Sequence, residues 1–118
     1  MMIETSIKED IKIIKVFGEV NFENHIEFKE GLLRSIQGNE NKIVLDMEKL
    51  AYLNSMGLST IVKAYSELKK RKGELKLCSL QEHIKKLFAI TKLDKIINIY
   101  ENSEDALKAF QTLNIDRK

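Results

Sequence analysis

The stretch YLNSMGLSTIVKAYSELKKRKG, Tyr52 to Gly73, holds the residues best placed to do chemistry. Asn54, Ser55 and Gly57 form a small polar knot just ahead of an apolar helix pattern, with Met56 set among them. From Leu58 onward, Ile61, Val62, Tyr65 and Leu68 fall at steps of three and four, the spacing of one face of a helix of about four turns. The knot therefore lies where the first backbone N–H groups of a helix lack an acceptor within the helix. Asn54 or Ser55 can supply a capping oxygen there, a role worth about 1 kcal/mol. The same place suits an anion, because free N–H donors and the positive end of the helix dipole stabilise a phosphate carried on Ser55. Ser55 is thus read in two ways, as a cap and as a hydroxyl on which another protein acts.

Other chemistries find less support. His25 and His83 are the only histidines, and neither stands at helical ligand spacing from another His or a Cys, so no metal site is expected. Gly57 and Lys63 do not complete a phosphate-binding G-x-x-x-x-G-K-[ST] loop, and there is no G-x-G-x-x-G. Ser55 also lacks the G-x-S-x-G surroundings of a hydrolase nucleophile. The cations Lys69 to Lys72 sit where a helix ends and complement its carbonyl end, a gain of roughly 0.3 to 1 kcal/mol. Docking of an acidic partner is the alternative reading of that run. Cys78, the single cysteine, has no internal disulfide partner and reads as a small core residue between apolar neighbours.

The elements that must position the knot follow from hydrophobic period, which switches between two and about 3.6 residues. Ile3 to Ile7 and Ile11 to Phe17 read as two antiparallel strands of a hairpin, closed by Gly18. Ile26, Phe28, Leu32, Leu33 and Ile36 mark a helix between Asn24 and Gln37, with Asn21 as a candidate cap and Gly38 at its end. The run KIVLDM, Lys42 to Met47, is continuously apolar for most of its length and is expected at the sheet centre. After the Ser55 helix, stopped by Gly73, LKLCS forms a strand. Ser79 with Glu82 then predicts a capping box opening a helix through Ile84, Leu87 and Phe88. Ile96 to Tyr100 is a last short strand, and a final helix starts at Ser103, beyond which the chain end is expected to fray. Alternation after the hairpin predicts right-handed crossovers and a mixed, mostly parallel sheet with about four helices in one outer layer.

Length and charge agree with a single α/β domain over 1–118. The 118 residues, 43% hydrophobic, suffice for one core, with neither proline nor linker to divide them. Twenty Lys and Arg against eighteen Asp and Glu give a net charge of +2, too small and too mixed for a nucleic-acid binder. The first ten residues carry acids and no long apolar run, so neither a signal peptide nor a membrane span is expected and the chain reads as cytoplasmic.

The order of elements, with NSMGLS opening the second helix, resembles the STAS domain of bacterial anti-sigma factor antagonists, whose motif there is D-S-[SAT]-G-L-[GA]. VFGEVNFEN is similar to the family's G-x-[LI]-[DN] turn after the second strand, and IVLDMEKLAYLNSMGL and LDKIINIYENSEDALKAF extend the likeness over nearly the whole chain. The resemblance implies a noncatalytic protein without cofactor or metal. It places the phosphoacceptor at Ser55 and the partner-binding residues at Asn21, Asn54, Met56, Gly57, Leu58 and Ser59. It also implies an anti-sigma factor that doubles as a serine kinase, bound when Ser55 is unphosphorylated, and a separate serine phosphatase that resets the switch. Asn54 and Asn21 stand where the family commonly has Asp, which removes two carboxylates and alters charge complementarity more than shape. Met56 replaces a small residue with a flexible apolar one. These departures also fit a second role, an unphosphorylated STAS subunit or scaffold of a signalling or lipid-transport complex.

Overall fold

The computed structural model describes the backbone of residues 2–116 and the side chains of residues 2–111. Strands β1 (Met2–Lys8) and β2 (Ile11–Val20) form the antiparallel hairpin. Helix α1 (His25–Ser35), β3 (Lys42–Asp46), β4 (Leu50–Leu53), α2 (Ser55–Lys70), β5 (Glu74–Cys78) and α3 (Glu82–Ile90) follow in turn. A 3-10 turn at Leu93–Lys95, β6 (Ile99–Tyr100) and α4 (Ser103–Asp116) complete the described chain. Sheet order is β1-β2-β3-β5-β6, with β4 beside β2, and every pairing after the hairpin is parallel. The fold is the mixed α/β arrangement expected, and KIVLDM does supply the central strand. The fraying expected at the chain end falls outside the described residues.

Hydrophobic period explains the core. Phe28, Leu32, Ile61, Leu68, Ile84 and Phe88, from α1, α2 and α3, are buried against Ile14, Val16, Ile43, Leu45, Leu75 and Leu77 on one sheet face. Burying such a side chain contributes roughly 1.5 to 3 kcal/mol. Successive strand residues point to opposite faces, so Ile11, Val44 and Cys78 turn the other way and pack with Ala106 and Phe110 of α4. The helices therefore cover both faces, correcting the single outer layer. The unbroken burial of Ile43, Val44 and Leu45 requires that second cover.

Other expectations also change. Gly18 does not close the hairpin: β2 runs on to Val20, and Gly18 adopts φ 101 at a register break before Glu19. A residue with a Cβ enters that region only with strain, so glycine permits the break. There β2 leaves β3, its partner through Lys15, and takes up β4, a strand the apolar pattern did not predict. Asn21 does not cap α1, whose N-cap position is Asn24 without a side-chain cap bond. The Ser79–Glu82 box does not form: Ser79 is left-handed with φ 62, its N–H donates to Tyr100 O at 3.1 Å, and the N-cap of α3 is Gln81. Ser79 thus extends the pairing of β5 with β6 instead of opening the helix. The last strand shortens to Ile99–Tyr100. Past α2 the left-handed residue is Lys72, one before Gly73. Ile26, assigned to the apolar stripe of α1, faces solvent.

Candidate functional site

The knot around Ser55 is built where two parallel strands end together. Val20 of β2 pairs with Leu53 of β4, and the Asn54 N–H donates to Val20 O at 3.0 Å. Both chains then turn into helices, so Asn21 and Asn54 leave the sheet side by side. On the first turn, Asn21 Oδ1 accepts from the N–H groups of Glu23 (3.0 Å) and Asn24 (3.1 Å). The Asn21 N–H donates to Asn24 Oδ1 at 2.9 Å, and Asn24 Nδ2 donates to Glu19 O at 2.8 Å. This closed set is the local alternative to regular structure that asparagine favours in turns.

On the second turn the choice between two caps is settled in favour of Asn54. It has the extended backbone of an N-cap, its Oδ1 accepts from the Gly57 N–H at 2.8 Å, and its carbonyl accepts from the Leu58 N–H at 3.0 Å. Ser55 is the first helical residue and is exposed, so its side chain is not the helix cap. The N–H groups of Ser55 and Met56 belong to the first turn, where no helical carbonyl is in reach. No acidic residue occupies that turn of α2, leaving the positive helix end unopposed locally.

Burial separates the six residues expected around Ser55. Asn21 and Asn54 are half-buried, Met56 and Ser59 are exposed, and Gly57 and Leu58 are buried. Gly57 cannot present a surface: a Cβ there would lie 2.5 Å from Leu53 Cδ1 and 2.8 Å from Val20 Cγ1. It and Leu58 instead seat α2 on the ends of β2 and β4, which fixes the height of Ser55 above the sheet. The structure adds residues that the sequence reading missed. Phe22, between the two asparagines of the first turn, is 77% exposed with its ring 5.9 Å from that of His25, and Tyr52 and Ile26 are exposed as well. With Met56, they put exposed large apolar side chains on and beside the two turns. An aromatic residue inside an asparagine-rich turn was the available signal.

The other described residues offer no comparable chemistry. Among the described residues no group of His, Cys, Asp and Glu could hold a metal ion. His83 uses Nε2 to donate to Ala51 O at 2.7 Å, tying α3 to β4. An open hollow of about 460 Å³ lies beside β6, lined by Lys85, Asp94, Asn98, Ile99, Tyr100 and Glu101, and includes no residue of the Ser55 turn. No described helix is long and apolar enough to cross a membrane.

Comparison with known proteins places this geometry. The STAS domain family matches residues 2–106. A Bordetella bronchiseptica protein named as the anti-sigma factor antagonist BtrV is 32% identical over 95 residues, covering 80% of this chain and 82% of the relative. A crystal structure of a Thermotoga maritima protein, named for the same role, superposes with a TM-score of 0.84 at 26% identity, covering 91% of this chain and 92% of that one. The Bacillus protein SpoIIAA in its phosphorylated form superposes with a TM-score of 0.70 at 19% identity, over 92% of this chain and 99% of that one, which is a likeness of fold.

Proposed function

The chain belongs to the STAS domain family, alongside relatives named anti-sigma factor antagonists, and from that premise we propose that it is a noncatalytic antagonist of an anti-sigma factor, switched by phosphorylation of Ser55. The observation that carries the reading is the exposed Ser55 side chain at the first residue of α2, with the capping bond made by Asn54. In the unmodified state, Asn21, Asn54, Ser55, Met56 and Ser59 form the docking face, widened by Phe22 and Tyr52. Gly57 and Leu58 hold that face in place from below. The partner is an anti-sigma factor that is also a serine kinase. Its capture frees a sigma factor, and a serine phosphatase restores the unmodified chain. The domain, 1–118, acts in the cytoplasm and touches no nucleic acid itself.

The switch needs only local electrostatics. A phosphate adds about 1.5 to 2 negative charges, and the free N–H groups of the first turn let the fold carry them. A partner surface that covers Ser55 would have to desolvate that dianion, at several kcal/mol if it is left unpaired. About 4 kcal/mol weakens binding roughly a thousandfold. The phosphorylated form of SpoIIAA, of the same fold, supports the compatibility of this architecture with the modification.

The test is incubation with the chain's own anti-sigma factor kinase and ATP, followed by mass spectrometric mapping. One phosphate, on Ser55, is expected. A phosphate on Ser59 instead, or none, would overturn the reading. The exposed Phe22, Tyr52 and Met56 also favour a second reading, a permanent subunit of a larger assembly. Such a subunit would remain bound to its partners when Ser55 is replaced by Asp.

A further inference from the structure

The sheet has one long open edge, remote in sequence from the Ser55 turn. β1 is its terminal strand, and all seven of its residues pair with β2 in one unbroken antiparallel register. An edge strand of this length presents a row of peptide donors and acceptors to any further strand. Met2 and the run from Glu4 to Lys8 are exposed, and Ile7, an apolar side chain, is 58% exposed. The opposite edge, β6, has only two residues. Neither proline nor a bulge interrupts β1, and the only blunting features it carries are the charges of Glu4 and Lys8.

We propose that β1 is a self-association edge, pairing antiparallel with β1 of a second copy about a two-fold axis at Ser6. The charges select this occupant and this register. About Ser6, Glu4 faces Lys8 of the second copy and Lys8 faces its Glu4, while Thr5 covers the exposed Ile7. Moving the axis to Thr5 sets Glu4 against Ser6 and Lys8 against Met2, losing both ion pairs. Moving it to Ile7 sets Lys8 against Ser6 and leaves Glu4 opposite the hairpin turn, again losing both ion pairs. Parallel stacking in register sets Glu4 on Glu4 and Lys8 on Lys8. Facing residues of an antiparallel pair lie on the same sheet face, where opposite charges attract and like charges repel. The two-fold axis makes every favourable pair occur twice. The partners also match in face: Glu4 and Lys8 lie on the side of α4, as Lys8 pairs with Ile11 of the α4 cluster, whereas Ile3 lies on the side of α1.

A charge exchange tests this directly. Sedimentation velocity of the full chain in a series up to about 1 mM is expected to show the mass rising from 13.7 kDa toward twice that value, as befits a small, weak interface. E4K places Lys against Lys and K8E places Glu against Glu, and each should weaken association by about tenfold or more. An equimolar mixture of E4K and K8E restores both ion pairs across the interface and should associate again. A wild-type chain that stays at one-chain mass throughout, or a mixture no better than its components, would overturn the proposal. As an independent readout, amide exchange of wild type should slow with concentration across Glu4 to Lys8. Slowing confined to another element would overturn it equally. Neither measurement involves Ser55, so its outcome is separate from that of the phosphorylation switch.

Discussion

Asn54 Oδ1 accepts the Gly57 N–H at 2.8 Å, so the helix that displays Ser55 is capped by its neighbour. The cap and the exposed hydroxyl of the proposed switch therefore stand on adjacent residues. Asn54→Ala should lower stability by about 1 kcal/mol, while Ser55→Ala, at an exposed site without a capping role, should stay within about 0.5 kcal/mol. Urea unfolding of both variants checks this. A larger loss at Ser55 than at Asn54 would contradict this assignment.

Gly57 sets how closely α2 approaches the strands. An alanine there drives its Cβ into Leu53 and Val20, both buried and both at strand ends. Gly57→Ala should therefore cost about 1 to 3 kcal/mol. Gly31 is the control: its Cβ would meet only the flexible tip of Ile3, and alanine favours a helix interior by up to about 1 kcal/mol. Thermal melts should move down for Gly57→Ala and hold or rise for Gly31→Ala.

Lys76, buried at 1% exposure, donates to Glu74 Oε2 at 2.9 Å and lies over the rings of Tyr100 and Phe110. Burial pushes the Glu74 carboxyl up, but the hydrogen bond and charge of Lys76, helped by Lys69, outweigh it and hold the group below its ordinary 4.5. A carboxylate depressed in the folded state adds stability above its unfolded pKa, and that contribution is lost as pH falls through the folded value. Acid should thus destabilise the wild type progressively below 4.5 through this pair. In Lys76→Met the burial remains while its main opposing charge is gone, so Glu74 should titrate higher, as carboxyl NMR shifts would record. An unchanged titration would exclude the pairing as the cause.

Cys78 lies in the α4 cluster, and burial, aided by the Asp46 carboxylate, pushes its thiol up to about 12. Its labelling by a thiol reagent at pH near about 8.5, where a free cysteine is half ionised, should be slow and follow unfolding. Rapid labelling of the native chain would show that α4 does not stay docked.

The long periodic runs were legible because burial imposed them. The stripe of α2 and the central KIVLDM strand both appear where the pattern put them. What escaped depends on partners distant in sequence. β4 is four residues long with exposed Ala51 and Tyr52 between buried Leu50 and Leu53, so neither alternation nor an apolar run marks it. It exists because the Gly18 break steers β2 toward it. The Ser79–Glu82 signature was real as a pattern but lost to a sheet hydrogen bond that Ser79 makes with Tyr100. At the site, sequence identified the polar knot, yet could not separate the exposed Ser55, Met56 and Ser59 from the buried Gly57 and Leu58. Ile26 fitted the apolar stripe of α1 by spacing, and only its position in the first turn of that helix, beside the exposed Phe22, shows it facing out.

The central claim is that one dianion at the start of α2 decides partner binding. Titration calorimetry of the anti-sigma factor with the unmodified chain, with Ser55→Ala and with the Ser55-phosphorylated chain tests it most directly. Tight binding of the first two and a roughly thousandfold loss for the third are expected. Equal affinity of the phosphorylated and unmodified chains would contradict the account.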